Sequence, residues 1–571
     1  MKATFLFVSV PLFSILFVTQ SNGQAGTGAL VLDYGTYLGG SSLDSANAVE
    51  LNAIGEMYVA GSTLSDDFPC SSQLGGYDVF IAKFASDGSL IYCVRLGGNA
   101  DDFAYSLSSD ESGNVYVTGS TASPDFPVTP SAFQRQLKGV SNGFVTELDT
   151  VGKPVYVTYL GGSSADVGSA IANRGPGLVL VGGSANSRDF PVTAGAAQPS
   201  SGGNADGFIS LLDLRKKGAS ALLYSTFVGG SENDGVTGVR LDTSGKIYAG
   251  GFSESGDLPT TPNAFQRNNG GFLCSGEFCY DGYFVKYDPS LSGSASRLYA
   301  SYLGGGLSDW AFSLNIDSGG RAFLLGQTFA TDFPVTTNAL QSKSAGNLDT
   351  FIAEIDPEAS GAASLIYSTY LGGNDADFGQ AISVDGGGNI YAAGGTYSSN
   401  FPVVNAAQGS CASCRGGRTS KDFFLSKIDP TGAMLLSSTY LGGENDDLPF
   451  AMAVNSAGSV ALAGETFSFL FPTTSNGFDR TCGTAARCNS GTSDAVLVRF
   501  DNSTKADFSI AAGPLLSSVK PGQSVKYQLT LSSLAGFAGT IQLSCDGAPE
   551  HSECSISPSS VTLEPLGSRM S

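Results

Sequence analysis

The sequence repeats one skeleton of glycine, aspartate and proline seven times, with the same internal spacing in every copy. A Gly-Gly pair is followed by an Asp four residues after its second Gly, by a Gly at fifteen, by another at twenty-one, and by a hydrophobic-Pro pair at twenty-eight and twenty-nine. The repeated acids are Asp44, Asp102, Asp166, Asp234, Asp309, Asp377 and Asp447. Because one such unit is too small to bury its own apolar face, the repeat indicates an array of modules that pack on their neighbours.

Each copy contains four runs with the alternating pattern of β-strands. In the sixth copy they are residues 380–384, 389–393, 423–428 and 434–441. The first two runs are joined by Asp385 to Gly388 and the last two by Asp429 to Gly432, which are typical tight-hairpin sequences. Two hairpins make one four-stranded antiparallel sheet. Seven such sheets predict an all-β fold, a seven-bladed β-propeller.

The order of the runs predicts how the ring is arranged. By analogy with other propellers, we expect the run at residues 381–384 nearest the axis and the run that ends in Tyr-Leu-Gly-Gly outermost. An unpaired strand at residues 31–38 is expected to close the ring against residues 495–500, which removes two exposed edges. The constant Gly-Gly links and the variable stretches of 9 to 22 residues after Phe-Pro are expected on one face.

Several segments carry a family resemblance. They are Leu365 to Gly373 (LIYSTYLGG), Asn114 to Thr121 (NVYVTGST) and Asp125 to Thr129 (DFPVT). They resemble the bacterial SBBP β-propeller repeat of exported and cell-surface proteins, and the resemblance covers about residues 31–501. The third copy departs from the pattern at residues 178–183, and the fourth has Leu258 in place of Phe. The resemblance implies the propeller fold and export, and it implies no set of catalytic residues.

The two ends of the chain differ from the repeats. Residues 1–25 are interpreted as a secretory signal peptide, because a basic start precedes a short apolar run and a polar stretch of small residues. No stretch approaches the roughly 20 apolar residues of a membrane-spanning helix, so a secreted or cell-surface protein is expected. Residues 26–505 are assigned to the propeller. Residues 506–571 resemble an immunoglobulin-like β-sandwich but fall short of the about 100 residues it needs, which predicts a partial module.

The charge balance limits the partners. The chain has 51 acidic and 29 basic residues and a net charge of -22. This charge disfavours nucleic acid and anionic membranes, because phosphate binding needs Lys and Arg. The single His, His551, lies outside the repeats, so a Ser-His-Asp triad, a Cys-His pair and a His-ligated metal centre are excluded from the propeller. An extracellular glycan or protein is the expected partner, and nothing in the sequence indicates an oligomeric state.

The seven repeated Asp residues allow two interpretations. They could ring the mouth of the channel and hold Ca²⁺, a hard cation that takes six to eight oxygen ligands. Alternatively, each Asp accepts hydrogen bonds from nearby backbone N–H groups and fixes the link between blades. The structural interpretation is preferred, because a binding site normally uses two or three blades and no dense Asp-x-Asp-x-Asp-Gly loop occurs. No other cofactor is indicated.

Three copies place a large aromatic residue directly after the repeated Asp: Phe103, Trp310 and Phe378. On a concave face they could form a platform for a sugar or a peptide. The competing interpretation is that they pack between adjacent blades.

Ten cysteines in an exported chain indicate disulfides. The expected pairs share a loop or hairpin or, for the first pair, lie on adjoining segments of the first two copies. They are Cys70–Cys93, Cys274–Cys279, Cys411–Cys414, Cys482–Cys488 and Cys545–Cys554. Alternatively, Cys411 and Cys414 form a redox site or join Cys482 and Cys488 in a thiolate metal site.

The leading hypothesis is a secreted or cell-surface, non-enzymatic binding or scaffold protein that takes a glycan or a protein on variable loops of one face. One alternative is a carbohydrate-active enzyme, a glycosidase or lyase that uses carboxylates without His. Another is a purely structural envelope protein.

Overall fold

The computed structural model describes residues 30–70, 74–271, 273–274, 277–414, 420–483, 492–502, 507–513, 528–534, 539–543, 555 and 557–563. The chain divides into two compact units, the larger formed by Leu32–Val404 with Gly409–Asp501 and the smaller including Asn502–Ser571. The predicted signal peptide, residues 1–25, lies outside the described residues. No helix among the described residues has the length and apolar character needed to cross a membrane.

The larger unit is built from seven four-stranded antiparallel sheets, called blades 1 to 7 in chain order. Blade 1 contains β2 (Asp44–Leu51), β3 (Met57–Thr63), β4 (Asp78–Phe84) and β5 (Leu90–Leu96). Blade 2 contains β6 (Asp102–Ser109), β7 (Val115–Thr121), β8 (Asn142–Leu148) and β9 (Pro154–Leu160). Blade 3 contains β10 (Asp166–Asn173), β11 (Leu178–Ala185), β12 (Asp206–Asp213) and β13 (Leu222–Val228). Blade 4 contains β14 (Asp234–Leu241), β15 (Ile247–Ser253), β18 (Asp281–Tyr287) and β19 (Arg297–Leu303), with a small hairpin of β16 (Leu273–Cys274) and β17 (Glu277–Phe278) in its loop.

The remaining blades repeat the same order. Blade 5 contains β20 (Asp309–Ile316), β21 (Ala322–Thr328), β22 (Asp349–Ile355) and β23 (Leu365–Leu371). Blade 6 contains β24 (Asp377–Val384), β25 (Ile390–Thr396), β26 (Asp422–Ile428) and β27 (Leu435–Leu441). Blade 7 contains β28 (Asp447–Val454), β29 (Val460–Thr466), β30 (Asp494–Asn502) and β1 (Leu30–Leu38). Short 3₁₀ turns at Gly218–Ala221, Gly293–Ser296 and Gly361–Ser364 precede the fourth strands of blades 3, 4 and 5.

The ring closes as the sequence predicts. Blade 7 has the strand order β1-β30-β29-β28, so the first strand of the propeller pairs with the last. The innermost strands, β2, β6, β10, β14, β20, β24 and β28, surround the axis and line a cavity of about 720 Å³. The strands that lead into the Gly-Gly pairs are outermost, which confirms the expected strand order within each blade.

The two single glycines of the repeat have separate geometric causes. The glycines at position fifteen lie in the first hairpin of each blade and have φ between 71° and 88°, the left-handed region that L side chains avoid. The glycines at position twenty-one face a bulge in the innermost strand. At Gly326, for example, a Cβ atom would lie 1.7 Å from the backbone oxygen of Trp310. Both positions are therefore required by the backbone of the blade.

The Phe-Pro segments cover the outer edges of the blades. The hydrophobic residue before the Pro is buried in all seven copies. In blade 4, the hydroxyl of Tyr302 on the outermost strand donates to the carbonyl of Ser255 (2.6 Å) and accepts from the N–H of Leu258 (2.8 Å). Further along, Gln266 forms a bridge with Tyr302. The first part of each variable stretch is thus an edge segment fixed on its own blade, which protects the open strand edge.

Two of the expected disulfides lie within the described residues, Cys70–Cys93 and Cys411–Cys414. Cys70 and Cys93 both belong to blade 1, whereas the sequence predicts adjoining segments of the first two copies. Cys279 and Cys482 are also disulfide-bonded. The expected partner of Cys279 is Cys274, whose side chain lies outside the described part of the chain, as do Cys488, Cys545 and Cys554.

The smaller unit contains two two-stranded antiparallel sheets among its described residues. One pairs β31 (Asp507–Gly513) with β32 (Gln528–Leu534), and the other pairs β33 (Gly539–Gln542) with β34 (Ser560–Leu563). This β content is what the structure describes there, and an immunoglobulin-like sandwich remains a prediction.

Candidate binding face

The Gly-Gly links and the variable loops lie at the same end of the blades, which defines the loop face. A parallel bridge joins Ala205, at the end of the variable loop of blade 3, to Asn233 in the link that follows that blade. Ser141 and Ala165 make the same contact one junction earlier. The hairpin turns lie at the other end. The loop face therefore presents the parts of the repeat that differ in length.

The repeated Asp residues occupy the junctions between blades, just below the loop face. Each is the first residue of an innermost strand and is at most 1% exposed. At the junction of blades 3 and 4, Asp234 Oδ2 accepts from the N–H of Gly230 (2.7 Å) and from the Ser255 hydroxyl (2.9 Å). The backbone N–H of Asp234 donates to the carbonyl of Ala205 in the preceding blade (2.7 Å). Each Asp therefore fixes a link between blades, and each lies in a different junction.

A second carboxyl faces the repeated Asp at six junctions. It comes from the first residue of the third strand of the preceding blade, and the first Gly of the Gly-Gly pair lies between the two side chains. A Cβ atom on Gly229, for example, would lie 2.7 Å from both Asp206 Oδ1 and Asp234 Oδ2. The six pairs are Asp78–Asp102, Asp206–Asp234, Asp281–Asp309, Asp349–Asp377, Asp422–Asp447 and Asp494–Asp44.

The junction of blades 2 and 3 has an amide in place of the second carboxyl. Asn142 Nδ2 donates to the carbonyl of Gly162 (3.0 Å) and to Asp166 Oδ2 (3.4 Å). The amide thus supplies a hydrogen-bond donor at a position where the other junctions hold a carboxyl.

Burial raises the pKa of all seven repeated Asp residues and of four of the facing carboxyls, Asp78, Asp206, Asp281 and Asp494. Burial raises the pKa of Asp234 to about 7, and the charge of Asp206 adds to that rise. Burial likewise raises the pKa of Asp102 to about 6, again with a contribution from its partner, Asp78. The oxygens that face each other across Gly229 are Asp234 Oδ2 and Asp206 Oδ1, and Asp206 Oδ1 accepts no hydrogen bond from a described residue. One proton shared by two facing carboxyls would satisfy such an oxygen and relieve the repulsion between the two groups.

The repeated Asp residues make the contacts within the junctions that the structural interpretation predicts, and the calcium ring stays a prediction. Each carboxyl accepts hydrogen bonds within its own junction, and the seven junctions are distributed around the ring. Among the described residues, no three His, Cys, Asp or Glu side chains come close enough together to hold a metal ion. The third-strand Asp of each pair is a residue that the sequence analysis missed.

The aromatic residues after the repeated Asp lie on the loop face and remain partly exposed. Trp310 packs against Tyr280 of the preceding blade (ring centroids 5.4 Å apart) and against Phe329 (5.9 Å), and Tyr280 also contacts Phe252 (5.7 Å). We call these four rings the aromatic row. Phe329 is 42% exposed, and Leu307 beside it is 47% exposed. The row combines both sequence interpretations, because it joins two blades and still offers apolar surface to solvent.

The other two predicted aromatic residues form separate, smaller groups. Phe103 packs between Tyr77 of the preceding blade (5.0 Å) and Tyr105 (6.3 Å). Phe378 packs against Tyr397 (5.9 Å), and the ammonium group of Lys421 lies over both rings at 5.7 and 5.6 Å. The structure therefore does not bring Phe103, Trp310 and Phe378 together in one platform.

Comparison with known proteins agrees with the repeat. The sequence profile of the SBBP family, a β-propeller repeat, matches residues 91–127 and 366–402. The chain is 26% identical over 398 residues to Regulatory protein FlaEY of Caulobacter vibrioides, which covers 68% of this chain and 39% of that protein. It is 27% identical over 263 residues to the adhesin BmaC autotransporter of Brucella suis biovar 1, covering 44% of this chain and 7% of that protein. The chain thus spans less than half the length of these curated relatives.

The matches to solved structures have low identities and low TM-scores. The WD40 β-propeller domain of Doa1 is 10% identical with a TM-score of 0.40, and the match covers 83% of this chain and 97% of that domain. The WD40 domain of Neurospora crassa Pan2 is 9% identical with a TM-score of 0.37, and the match covers 80% of this chain and 89% of that one.

Proposed function

We propose that the protein is an exported, non-enzymatic binding propeller that docks an extracellular glycan on its loop face, with the aromatic row as the contact surface. The observation that carries the proposal is the row itself: four touching rings across blades 4 and 5 that retain exposed apolar area. Exposed apolar patches on soluble proteins mark interaction sites, and Trp and Tyr contribute most of the binding energy at such sites.

The support of the row is rigid, which lowers the entropy cost of binding. Cys279, directly before Tyr280, is 1% exposed and disulfide-bonded. The side chain of Asn269 donates to the carbonyl of Cys279 (3.1 Å), and the N–H of Gly270 donates to Asp281 Oδ2 (2.7 Å). These contacts fix the described residues next to Tyr280, as a preorganised surface requires.

Export is supported by the disulfides, which persist in oxidising compartments. The name of one relative, an adhesin autotransporter, describes a protein that acts at a cell surface. We place residues 1–25 as the signal peptide, residues 26–505 as the propeller and residues 506–571 as a partial immunoglobulin-like module within this proposal.

A glycan array with the full-length protein, with and without Ca²⁺, tests the proposal. Trp310→Ala is expected to weaken the strongest glycan signal at least tenfold, because a central aromatic anchor contributes about 2 kcal/mol or more. Phe469→Ala is the matched control, since Phe469 is 43% exposed and lies outside the aromatic row. Unchanged binding by a folded Trp310→Ala variant would contradict the assignment of the site. Trp310-dependent binding of an extracellular protein, with a blank glycan array, would replace the glycan by a protein ligand.

A further inference from the structure

The innermost strands break the sevenfold symmetry at the positions that face the axial cavity. The residue that starts each strand is Asp in every blade, whereas the residues three and six positions later differ in chemistry from blade to blade and line the cavity. The third position includes Tyr105, Phe312 and Phe450. A position that differs between otherwise constant units is not required by the blade, so its residues are free to serve a ligand.

Two opposite charges face this cavity. Glu50 of blade 1 and Arg240 of blade 4, both at the sixth position, are the only charged side chains among the described residues that line it. Blades 1 and 4 are as far apart as a seven-membered ring allows. Among the described ion pairs, none includes Glu50 or Arg240, so the two groups attract each other across the cavity without contact.

Among the described residues, neither group contacts a charged or polar side-chain partner. Arg240 Nη1 donates to the carbonyl of the adjacent Val239 (2.8 Å), and its remaining N–H donors make no further bond to the described residues. The Glu50 carboxylate accepts no hydrogen bond from them. Burial raises the pKa of Glu50 to about 7, although the charge of Arg240 opposes that rise. Both residues are partly exposed to the cavity. A charge that is partly removed from water without a partner is costly, so a ligand that pairs with either group gains binding energy.

We infer that the axial cavity binds a small zwitterion, a free amino acid or short peptide, with its carboxylate on Arg240 and its ammonium group on Glu50. A guanidinium matches a carboxylate with two parallel hydrogen bonds. The cavity of about 720 Å³ is within the usual range for small-molecule sites. A simple anion or cation would pair with one group and be repelled by the other, and a neutral sugar would leave both charges unpaired.

The aromatic residues of the third position extend the site. Three positions correspond to about 10 Å along a strand, so Tyr105, Phe312 and Phe450 form an apolar zone above the charged pair. A peptide terminus that carries an apolar side chain would contact both the charged pair and the apolar zone. This site is separate from the aromatic row on the loop face, so its test does not depend on the glycan proposal.

Isothermal titration calorimetry on the full-length protein at pH 8, where Glu50 is ionised, tests the inference with four probes. The probes are phenylalanine, the dipeptide Gly-Phe, N-acetyl-Gly-Phe and Gly-Phe amide. Phenylalanine or the free dipeptide is expected to bind, and each blocked form is expected to bind at least tenfold more weakly. Tighter binding of phenylalanine than of Gly-Phe would identify an amino-acid site, and the reverse order a peptide site.

Variants assign the two ends. Glu50→Gln should reduce binding of the free dipeptide to the level of the N-acetyl form and cause no further loss with that form. Arg240→Gln should behave in the same way toward the amide. Glu111→Gln, which removes an exposed carboxylate outside the cavity lining, is the control and should bind as the wild type does. Failure of every probe to bind the wild-type protein at millimolar concentration, or equal binding of the free and blocked dipeptides, would overturn the inference.

Discussion

The junction of blades 2 and 3 and the junction of blades 3 and 4 have the same frame with one changed group. In the first, Asn142 faces Asp166, and in the second, Asp206 faces Asp234. The surrounding donors are also matched. Asn142 Oδ1 accepts from the side chain eight residues earlier (2.9 Å) and from the N–H four residues earlier (3.0 Å), and Asp206 Oδ2 accepts from the same two positions at 3.1 and 2.7 Å.

The difference teaches what the second carboxyl does. At one junction the amide Nδ2 of Asn142 donates to Asp166 Oδ2. At the other, Asp206 can supply an equivalent donor only when it carries a proton. A carboxyl pair that holds one proton would be equivalent to the Asn junction, because the proton supplies the donor that the Asn142 amide supplies there. Burial raises the pKa of Asp166 as well, so the second carboxyl of the paired junctions adds to a pH dependence that the Asn junction also has.

The largest expected effect is the pH dependence of the stability of the whole propeller. Unfolded Asp has a pKa near 3.9, whereas burial raises the pKa of Asp44 to about 6 and those of Asp281 and Asp494 to about 7 in the folded protein. The folded state thus binds more protons between about pH 4 and pH 7, so the free energy of unfolding falls as pH rises through this window. Stability should decrease by several kcal/mol between about pH 5 and pH 8.

Calorimetric melting of the propeller between pH 3 and pH 9 measures this dependence. Carboxylates in turns make stability fall at low pH. Hydrogen bonds from Lys246 and Ser290 lower the pKa of Asp288 to about 2, so the stabilisation by its ionised form is lost as pH falls below about 4. The melting temperature should therefore be highest near about pH 4 to 5. A melting temperature that rises between pH 5 and pH 8 would show that the pairs do not share protons.

The next effect tests the closeness of the paired groups. Gly229→Ala and Gly161→Ala each place a Cβ atom 2.6 to 2.7 Å from both facing side chains. Each should destabilise the fold by about 3 kcal/mol, since overpacking a rigid site costs this much. The control is Gly386→Ala, where a Cβ atom meets nothing within 4 Å. Denaturant unfolding measures all three, and a loss at Gly386 equal to that at Gly229 would remove the special role of the junction.

The sequence predicts the constant parts of the molecule well. The Gly-Gly pair, the repeated Asp and the hairpin glycines recur at fixed offsets because every blade needs them, so the blade number follows from counting. The ring closure follows from the unpaired strands at the two ends of the array, and the strand order follows from analogy with other propellers. Two of the expected disulfides, Cys70–Cys93 and Cys411–Cys414, are present, although the first lies within blade 1 and does not join two copies.

The parts that vary in position or chemistry could not be found in the same way. The third-strand Asp lies beyond a loop of variable length, so Asp78 and Asp281 stand at different distances from the repeated Asp of their own blades. Glu50 and Arg240 have no charged counterpart at the same position in the other blades. They face one cavity only because the ring brings blades 1 and 4 around the same axis. In the sequence, these two positions differ from their counterparts in the other copies. Such a difference indicates a site only after the structure has shown which positions face the axis.

The smallest expected effect converts one junction into the other. Asp206→Asn gives blade 3 the group that blade 2 already has, with the same two donors in place, so the fold should tolerate it. At pH 8, the variant no longer needs a proton to avoid two facing anions, and it should be about 1 kcal/mol more stable than the wild type. At pH 5 the two proteins should have nearly equal free energies of unfolding. The pH dependence of stability in the variant should therefore be weaker by the contribution of one carboxyl pair. Asn142→Asp should produce the opposite change, a steeper profile with a loss of about 1 kcal/mol at pH 8. Urea denaturation of both variants at the two pH values makes the comparison. A pH-independent loss of stability in Asp206→Asn would mean that the second carboxyl acts as an anion, and the shared-proton description would then fail.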